Sequence, residues 1–306
     1  MTERTPDIPY RGRFAPSPTG PLHLGSLLAA VGSYIDAKLN HGKWFVRIDD
    51  IDTPRVVPDA DSEILRCLEA CGLHWDDSVI YQSTQLDYYQ QALETLASRQ
   101  HLFYCSCSRA EIAAQQIKSN ADIYPGTCRE KTQRHDTDCA IRVKVDDRFI
   151  IFEDRYQGNI RHRIDQTIGD FVVKRRDGLF AYQLAIVVDD ARQQITDVIR
   201  GVDLIDSTPR QIFLQQLLGY VVPQYGHLPI LINKDKQKLS KQTHAPPVDY
   251  SEPSKALIRI FSLLGQHPPE RLEQASADDC WQWAMEHWKT EKTPTSMHIY
   301  APFDDE

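Results

Sequence analysis

The stretch Arg11-Gly-Arg-Phe-Ala-Pro-Ser-Pro-Thr-Gly-Pro-Leu-His-Leu-Gly-Ser26 predicts a strand end, a loop and a helix start. Pro16, Pro18 and Pro21 stiffen the loop, and Pro21 suits a first helical position because that position needs no amide donor. Residues 22–35 are largely apolar or small, so we expect the helix to begin at Pro21 and to be buried.

The first turn of this predicted helix contains His23, Gly25 and Ser26. Free amides and the positive end of the helix dipole favour an anion there. Gly25 would let a nucleotide approach the backbone, and His23 could donate a hydrogen bond to a phosphate. The alternative is an ordinary Pro-Gly turn with His23 on the surface, and the spacing His-x-Gly alone favours that alternative.

A second stretch, Lys238-Leu-Ser-Lys-Gln242, follows an apolar run at 228–232 and a polar turn at 233–237. Two lysines on a loop can stabilise the charge that develops on a triphosphate. Taken alone, such a loop is usually solvated surface.

Together the two stretches resemble the HIGH and KMSKS signatures of class I aminoacyl-tRNA synthetases. The string at 13–20, with Arg-Ile-Asp-Asp-Ile-Asp-Thr-Pro-Arg at 47–55, is similar to the glutamyl branch. The resemblance implies a Rossmann-type α/β nucleotide-binding fold that uses ATP with Mg²⁺. It implies an ATP site formed by His23, Gly25, Ser26, Lys238, Ser240 and Lys241, of which His23, Lys238 and Lys241 are catalytic.

Composition restricts the class of protein. The 306 residues carry 35 basic and 43 acidic side chains, a net charge of −8, which argues against indiscriminate nucleic-acid binding but allows a local basic face. No apolar run is long enough to span a bilayer, and the polar N-terminus lacks a signal-peptide core. The seven cysteines, an odd number, argue against a disulfide framework. We therefore expect a cytoplasmic protein without a membrane partner, and a monomer.

Arg200 ends a predicted strand at 195–200, a position suited to binding a carboxylate. The alternative is a surface salt bridge with Asp203 or Asp206. The resemblance places Arg200 and Arg13 in an amino-acid pocket, where two arginines predict L-glutamate because a neutral side chain would leave guanidinium unpaired. The full pocket that the resemblance implies is Arg13, Ala15, Ser17, Asp49, Tyr182 and Arg200.

For two residues of this pocket, the sequence also allows a purely structural role. Asp49 follows a predicted strand at 43–48 and could simply cap a turn. The family has Glu at that position, one methylene longer, to hold the amino-acid ammonium. Tyr182, near the start of a predicted helix, could be a core aromatic.

Cys105-Ser-Cys107 and Tyr124-Pro-Gly-Thr-Cys128 place three thiols in one segment. Three thiolates suit one structural Zn²⁺, although buried free cysteines are also common. The residues leave the fourth ligand open among His101, Tyr124, His135 and Cys139. The resemblance selects Tyr124.

Residues 139–173 alternate like antiparallel strands, which predicts an insertion between two halves of a nucleotide fold. We expect a first catalytic half at 1–100, a zinc-containing α+β insertion like an acceptor-binding subdomain at 101–170, a second catalytic half with the Lys238 loop at 171–248, and a short helical region at 249–306.

The predicted helical region is too short for an anticodon-reading domain. In this respect the chain resembles the glutamyl-queuosine tRNA(Asp) synthetase family. That family activates glutamate with ATP and attaches it to the cyclopentenediol of queuosine at the wobble position of tRNA-Asp. The alternatives are a truncated glutamyl-tRNA synthetase that charges tRNA-Glu and an inactive, zinc-containing RNA-binding protein. The sequence has no G-x4-G-K-[ST] motif of a P-loop NTPase.

Overall fold

A computed structural model describes residues 8–119, 123–131, 138–239 and 245–301. Its strands are β1 (Arg11–Phe14), β2 (Lys43–Ile48), β3 (Ile80–Tyr81), β4 (Leu102–Cys105), β5 (Ala140–Val143), β6 (Phe149–Asp154), β7 (Gly158–Arg163), β8 (Phe171–Lys174), β9 (Asp197–Gly201), β10 (Gln224–Leu228), β11 (Ile230–Ile232) and β12 (His298–Tyr300). Its helices are α1 (Leu24–Leu39), α2 (Ala60–Ala70), α3 (Leu86–Ser98), α4 (Arg109–Ser119), α5 (Ile164–Thr167), α6 (Tyr182–Arg192), α7 (Thr208–Leu218), α8 (Pro253–Leu263) and α9 (Ala277–His287). None of these helices is long and apolar enough to cross a bilayer.

The central strands are parallel, and their order reverses beside β1. One sheet has the order β1-β2-β3, and β9 pairs with β10 in another. The two sheets meet where the Thr196 amide donates to the Arg11 carbonyl at 2.9 Å. The combined order β3-β2-β1-β9-β10 places a topological switch point between β1 and β9, where α/β sheets bind ligands.

The strands between the two parallel halves divide into two groups. β4, β5 and β8 form an antiparallel sheet of their own. The predicted alternation at 139–173 is confirmed by the antiparallel hairpin β6–β7. However, β6 also pairs in parallel with β10, where Asp154 lies opposite Tyr225. Part of the region predicted as an insertion is therefore continuous with the sheet that carries β9.

The helical region after residue 249 packs on α1. Trp281 of α9 contacts Tyr34 of α1 with ring centroids 4.7 Å apart, and its Nε1 donates to the Cys71 carbonyl at 2.8 Å. β12 then pairs in parallel with β11, just before Lys238. This region therefore supports both the helix and the strand that flank the two signature stretches.

The start of α1 differs from the prediction. The helix begins at Leu24, so Pro21 precedes it and is not its first residue. His23 is the N-cap, and its Nδ1 accepts from the Ser26 amide at 3.2 Å. The prediction was wrong because a capping side chain, not the proline, fixes where the helix starts.

A buried ion network connects β2, α6 and β1. Arg47 of β2 is fully buried and donates to Asp49 at 2.9 Å through Nε and to Asp190 at 2.8 Å through Nη1. Asp190 also accepts from Arg13 of β1 at 3.2 and 3.3 Å. Since each of these buried charges depends on its partners for compensation, the network fixes the distances among three elements.

Arg47→Met should destabilise the protein strongly because it leaves buried carboxylates without their partner. We expect the free energy of unfolding in urea to fall by about 3–5 kcal/mol. The matched control is Arg66→Met, which removes an exposed arginine paired with Glu63 and should leave the unfolding midpoint in place. Equal midpoints for the two variants would contradict a supporting role for the network.

Candidate active site

An open cleft of about 710 Å³ lies at the carboxyl ends of β1 and β9. This is the size range of sites for small ligands. It is lined by these sequence-predicted residues: Arg13, Ala15, Ser17, His23, Gly25, Ser26, Tyr182, Arg200 and Lys238. Asp49 is not among the lining residues. Ser240 and Lys241 lie outside the described residues.

The two signature stretches meet in the fold although more than two hundred residues separate them. His23 forms a β-bridge with Pro247, and the Val248 amide donates to the Leu22 carbonyl at 2.8 Å. A Cβ on Gly25 would lie 3.2 Å from the His23 ring and 3.6 Å from the Leu239 carbonyl oxygen. Gly25 thus allows close packing between the helix start and the segment that leads into the lysine loop.

Lys238 is held at the cleft by an ion pair. Its Nζ donates to Asp203 Oδ2 at 2.7 Å, and Asp203 also lines the cleft. The pair is partly exposed, with 42% and 32% of the two side chains accessible, so its stabilising effect is small. Its main consequence is to keep the ammonium beside the cleft.

Arg200 has a buried guanidinium with one nitrogen unused. Its Nε donates to His227 Nε2 at 3.1 Å and its Nη2 to Thr208 Oγ1 at 2.8 Å. Its Nη1 is buried and has no hydrogen-bond partner among the described residues. The predicted alternative of a surface salt bridge with Asp203 is wrong, because Asp203 binds Lys238 and Arg200 is only 5% exposed. A buried unpaired donor beside a cleft indicates a site for an anionic ligand.

Arg13 is the second buried arginine of the cleft. Its Nε and Nη2 bind Asp190, so Nη1 is the nitrogen that this ion pair does not use. Burial would raise the pKa of Asp190, but Arg13 and Arg47 together lower it below its ordinary value. Asp190 therefore stays ionised and holds both guanidiniums in place.

Asp49 differs from its prediction as a glutamate contact. The carboxylate is 6% exposed and accepts from Arg47, while its backbone amide donates to the Pro16 carbonyl at 2.9 Å. Burial raises the pKa of Asp49 to about 7, with Arg47 opposing that rise. Asp49 therefore connects Arg47 to the loop that follows β1.

Tyr182 begins α6 and lines the cleft with a partly exposed side chain. The alternative prediction, a core aromatic, is therefore wrong. Arg55 also lines the cleft and was not predicted as a site residue, although it ends the stretch 47–55 that was singled out.

Away from the cleft, Cys105, Cys107 and Cys128 have sulfur atoms within 4.8 Å of one another. The Cys107 and Cys128 sulfurs are 3.5 Å apart, close to the ~3.8 Å edge of a tetrahedron with ~2.3 Å metal–sulfur bonds. The Tyr124 oxygen is 3.3 Å from Cys105 Sγ and 3.8 Å from Cys107 Sγ. These four donors fit one tetrahedral metal ion.

Burial and the hydrogen bond with Cys105 raise the pKa of the Tyr124 hydroxyl well above its ordinary value, while the Cys128 amide opposes that rise. The Tyr124 oxygen accepts from the Cys128 amide at 2.9 Å, and the Arg142 guanidinium lies 4.0 Å from the ring centroid. Of the alternative ligands, His101 and Cys139 are not part of the cysteine group among the described residues. His135 lies outside those residues.

Sequence reasoning also missed the partners of Arg200, His227 and Thr208. Both are fully buried, with His227 in β10 and Thr208 at the start of α7. The position of His227 immediately before the apolar run at 228–232 was the available signal, because a buried imidazole requires hydrogen-bond partners.

Over residues 10–294 the chain matches the family described as tRNA synthetases class I (E and Q), catalytic domain. The fold and cleft are therefore those of a class I synthetase, which confirms the predicted α/β catalytic fold. A protein of Dechloromonas aromatica (strain RCB) named Glutamyl-Q tRNA(Asp) synthetase is 49% identical over 96% of this chain and 99% of its own. A protein of that name from Methylococcus capsulatus is 47% identical over 98% of both chains. The chain belongs to the Glutamyl-Q tRNA(Asp) synthetase family.

A solved structure supports the same fold. The crystal structure of a glutamate-tRNA synthetase from Elizabethkingia anophelis aligns with a TM-score of 0.79 at 26% identity. The alignment covers 97% of this chain and 68% of that chain.

Asp49→Asn should change how stability depends on pH. Because the folded pKa of Asp49 is about 7, the folded state keeps a proton that the unfolded state has already lost above about pH 4. This carboxyl therefore makes the protein less stable as pH rises from about 4 to 7. Asparagine does not titrate, so Asp49→Asn should not show this decrease in stability. The difference in free energy of unfolding, variant minus parent, should therefore increase by more than about 1 kcal/mol between about pH 4 and 7.

Urea unfolding at a series of pH values measures this difference. Asp177→Asn, a substitution of an exposed aspartate, is the control and should follow the parent. A relative stability of Asp49→Asn that falls with rising pH would show that Arg47 outweighs burial.

Proposed function

We propose that the protein activates L-glutamate with ATP and transfers it to the cyclopentenediol of queuosine at the wobble position of tRNA-Asp. The observation that carries this proposal is the similarity, over nearly the whole chain, to proteins named Glutamyl-Q tRNA(Asp) synthetase. The chemistry of the cleft supports it at each end.

Glutamate recognition rests on the two buried arginines. Arg200 Nη1 and Arg13 Nη1 can bind the side-chain carboxylate, with Ala15, Ser17 and Tyr182 contacting the rest of the amino acid. A neutral side chain would leave Arg200 Nη1 buried and unpaired, at a cost that disfavours its binding. Asp49 is proposed to act indirectly, by holding Arg47 and the loop after β1.

In the first step an oxygen of the glutamate α-carboxylate attacks the α-phosphorus of ATP. A phosphorus–oxygen bond forms, the bond to the β-phosphate bridge breaks, and pyrophosphate leaves with the electron pair. His23, the start of α1 at Gly25 and Ser26, and Lys238 can stabilise the phosphates, with Ser240 and Lys241 assigned from the sequence alone. Mg²⁺ bound to ATP supplies further charge neutralisation.

In the second step a hydroxyl oxygen of the cyclopentenediol attacks the carbonyl carbon of glutamyl-adenylate. The new ester bond forms as the bond to AMP breaks, and the hydroxyl proton passes to solvent. Positioning and charge stabilisation suffice for both steps, so no protein nucleophile is required.

We also propose one structural Zn²⁺ bound by Cys105, Cys107, Cys128 and Tyr124. Few apolar side chains pack around these residues, so an ion would supply the cross-link that a core does not. The zinc would stabilise the region proposed as an insertion at 101–170, between catalytic halves at 1–100 and 171–248, with a helical region at 249–306. We further propose that the protein is a monomer and that it acts in the cytoplasm, where ATP, glutamate and tRNA occur together.

The acceptor is tested by incubating the protein with labelled glutamate, ATP and purified tRNA. We expect labelling of tRNA-Asp that contains queuosine, and none of queuosine-free tRNA-Asp or of tRNA-Glu. Labelling of tRNA-Glu would favour the truncated glutamyl-tRNA synthetase. Failure to form glutamyl-adenylate would favour the inactive RNA-binding protein.

The zinc site is tested by metal analysis of the purified protein. The parent should contain equimolar zinc and Cys128→Ser should lose most of it, because a serine oxygen is a poor substitute for thiolate. Cys139→Ser is the matched control and should retain its zinc. Retention of zinc by Cys128→Ser, or its loss from Cys139→Ser, would refute the ligand assignment.

A further inference from the structure

Three buried side chains below the cleft form a continuous hydrogen-bonded series. Asp154 ends β6, His227 lies in β10 and Arg200 lies in β9. Each is at most 5% exposed. Only Arg200 belongs to the residues predicted to bind glutamate.

The contact with Arg200 determines which nitrogen of His227 carries the proton. A guanidinium nitrogen can only donate, so Nε2 of His227, 3.1 Å from Arg200 Nε, must be the acceptor. Nδ1 then carries the hydrogen and donates it to Asp154 Oδ2. The imidazole is therefore neutral, with one defined tautomer.

Asp154 is itself fixed by the turn that follows β6. Its Oδ1 accepts from the amides of Tyr156 at 3.1 Å, Gln157 at 3.0 Å and His227 at 3.0 Å. Burial would raise the pKa of Asp154, but these bonds and the one from the His227 ring lower it below its ordinary value. Asp154 therefore remains an ionised acceptor that holds the His227 ring.

This support leaves one nitrogen of Arg200 for a ligand. His227 accepts from Nε and Thr208 accepts from Nη2, while Nη1 is buried and no residue in the described part of the chain accepts from it. Thr208 Oγ1 is also 3.1 Å from His227 Nε2, so both acceptors of Arg200 contact each other. Turning the guanidinium would break two hydrogen bonds at once.

We propose that His227, oriented by Asp154, is a positioning residue that accepts from Arg200 Nε and so presents Arg200 Nη1 to the side-chain carboxylate of glutamate. This inference rests on the proposed function for the identity of the ligand. It assigns a role in amino-acid binding to β6, a strand within the segment proposed as an insertion.

The same arrangement makes glutamate binding sensitive to acid. The groups that face His227 are Asp154, Arg200, Thr208, the stacked ring of Tyr225 and, at longer range, Asp203. Burial lowers the pKa of His227 below its ordinary value, with the hydrogen bond to Asp154 opposing. A second proton would bind to Nε2, where it would repel the Arg200 N–H and remove the acceptor of that hydrogen bond. Affinity for glutamate should therefore not change with His227 at neutral pH, and should weaken only as pH falls below the lowered pKa of that ring.

Asp154→Asn tests the tautomer directly. The new amide can donate to Nδ1, which forces the ring proton onto Nε2 and removes the acceptor of Arg200. We expect the dissociation constant for L-glutamate, measured by titration calorimetry on the full chain, to rise roughly tenfold or more. The KM for ATP in pyrophosphate exchange should stay unchanged.

The matched control is Asp197→Asn. Asp197 is a buried aspartate of β9 that pairs with Arg155 at 2.9 Å, so Asp197→Asn removes the same charge while Arg200 keeps its bonds to His227 and Thr208. A comparable loss of affinity in Asp197→Asn would mean that general destabilisation, not the tautomer, explains the result.

Two further measurements keep the proposal testable if Asp154→Asn folds poorly. His227→Gln retains an acceptor for Arg200 and should bind glutamate more tightly than His227→Leu, which has none. The second measurement is the pH profile of glutamate affinity for the parent between about pH 5.5 and 8, where both glutamate carboxylates are ionised. Affinity should not rise toward the acid end, because a protonated His227 faces Arg200. Equal affinity of the two His227 variants, or an affinity that rises toward acid pH, would overturn the proposal.

Glutamate affinity is read without tRNA, so this test is independent of the acceptor. If Asp154→Asn binds glutamate normally while queuosine-containing tRNA-Asp is labelled, the positioning role fails and the proposed function stands. If affinity falls but no tRNA is labelled, the positioning role stands and the acceptor is wrong.

Discussion

The arrangement of the catalytic fold depends on the burial of Arg47. A buried guanidinium without partners is unstable by several kcal/mol, so the strand that carries it must meet carboxylates from elsewhere. Asp189 and Asp190 of α6, together with Asp49 after β2, meet this requirement. Asp190 then binds Arg13, which places β1 beside the same helix. Charge pairing as well as apolar packing therefore sets the distances among β1, β2 and α6.

The cleft divides its chemistry between its two ends. At one end, buried arginines are held by protein groups in ways that leave a nitrogen for a carboxylate. At the other, the capped start of α1 lies beside Lys238, whose side chain is partly exposed. In the proposed function, the buried end binds glutamate and the more exposed end binds ATP.

Most of the cleft was predictable because its residues lie in short stretches whose local pattern is informative. Asp203 and the pair Asp154–His227 were not, since the sequence does not show which residues meet across intervals of 35 and 73 positions. The pairing of β6 with β10 also escaped prediction, because alternation indicates a strand but not its neighbour. Asp49 does not line the cleft, and Arg47, two residues earlier, binds its carboxylate.

The contact between Arg13 and Asp190 spans 177 positions of sequence. At 5–20 residues per second, a ribosome takes roughly 10–35 s to synthesise that interval. During that time β1 has already emerged with an arginine whose buried partner does not yet exist. The amino-acid pocket is therefore completed late in synthesis, and the emerging N-terminal half must remain unaggregated in the meantime.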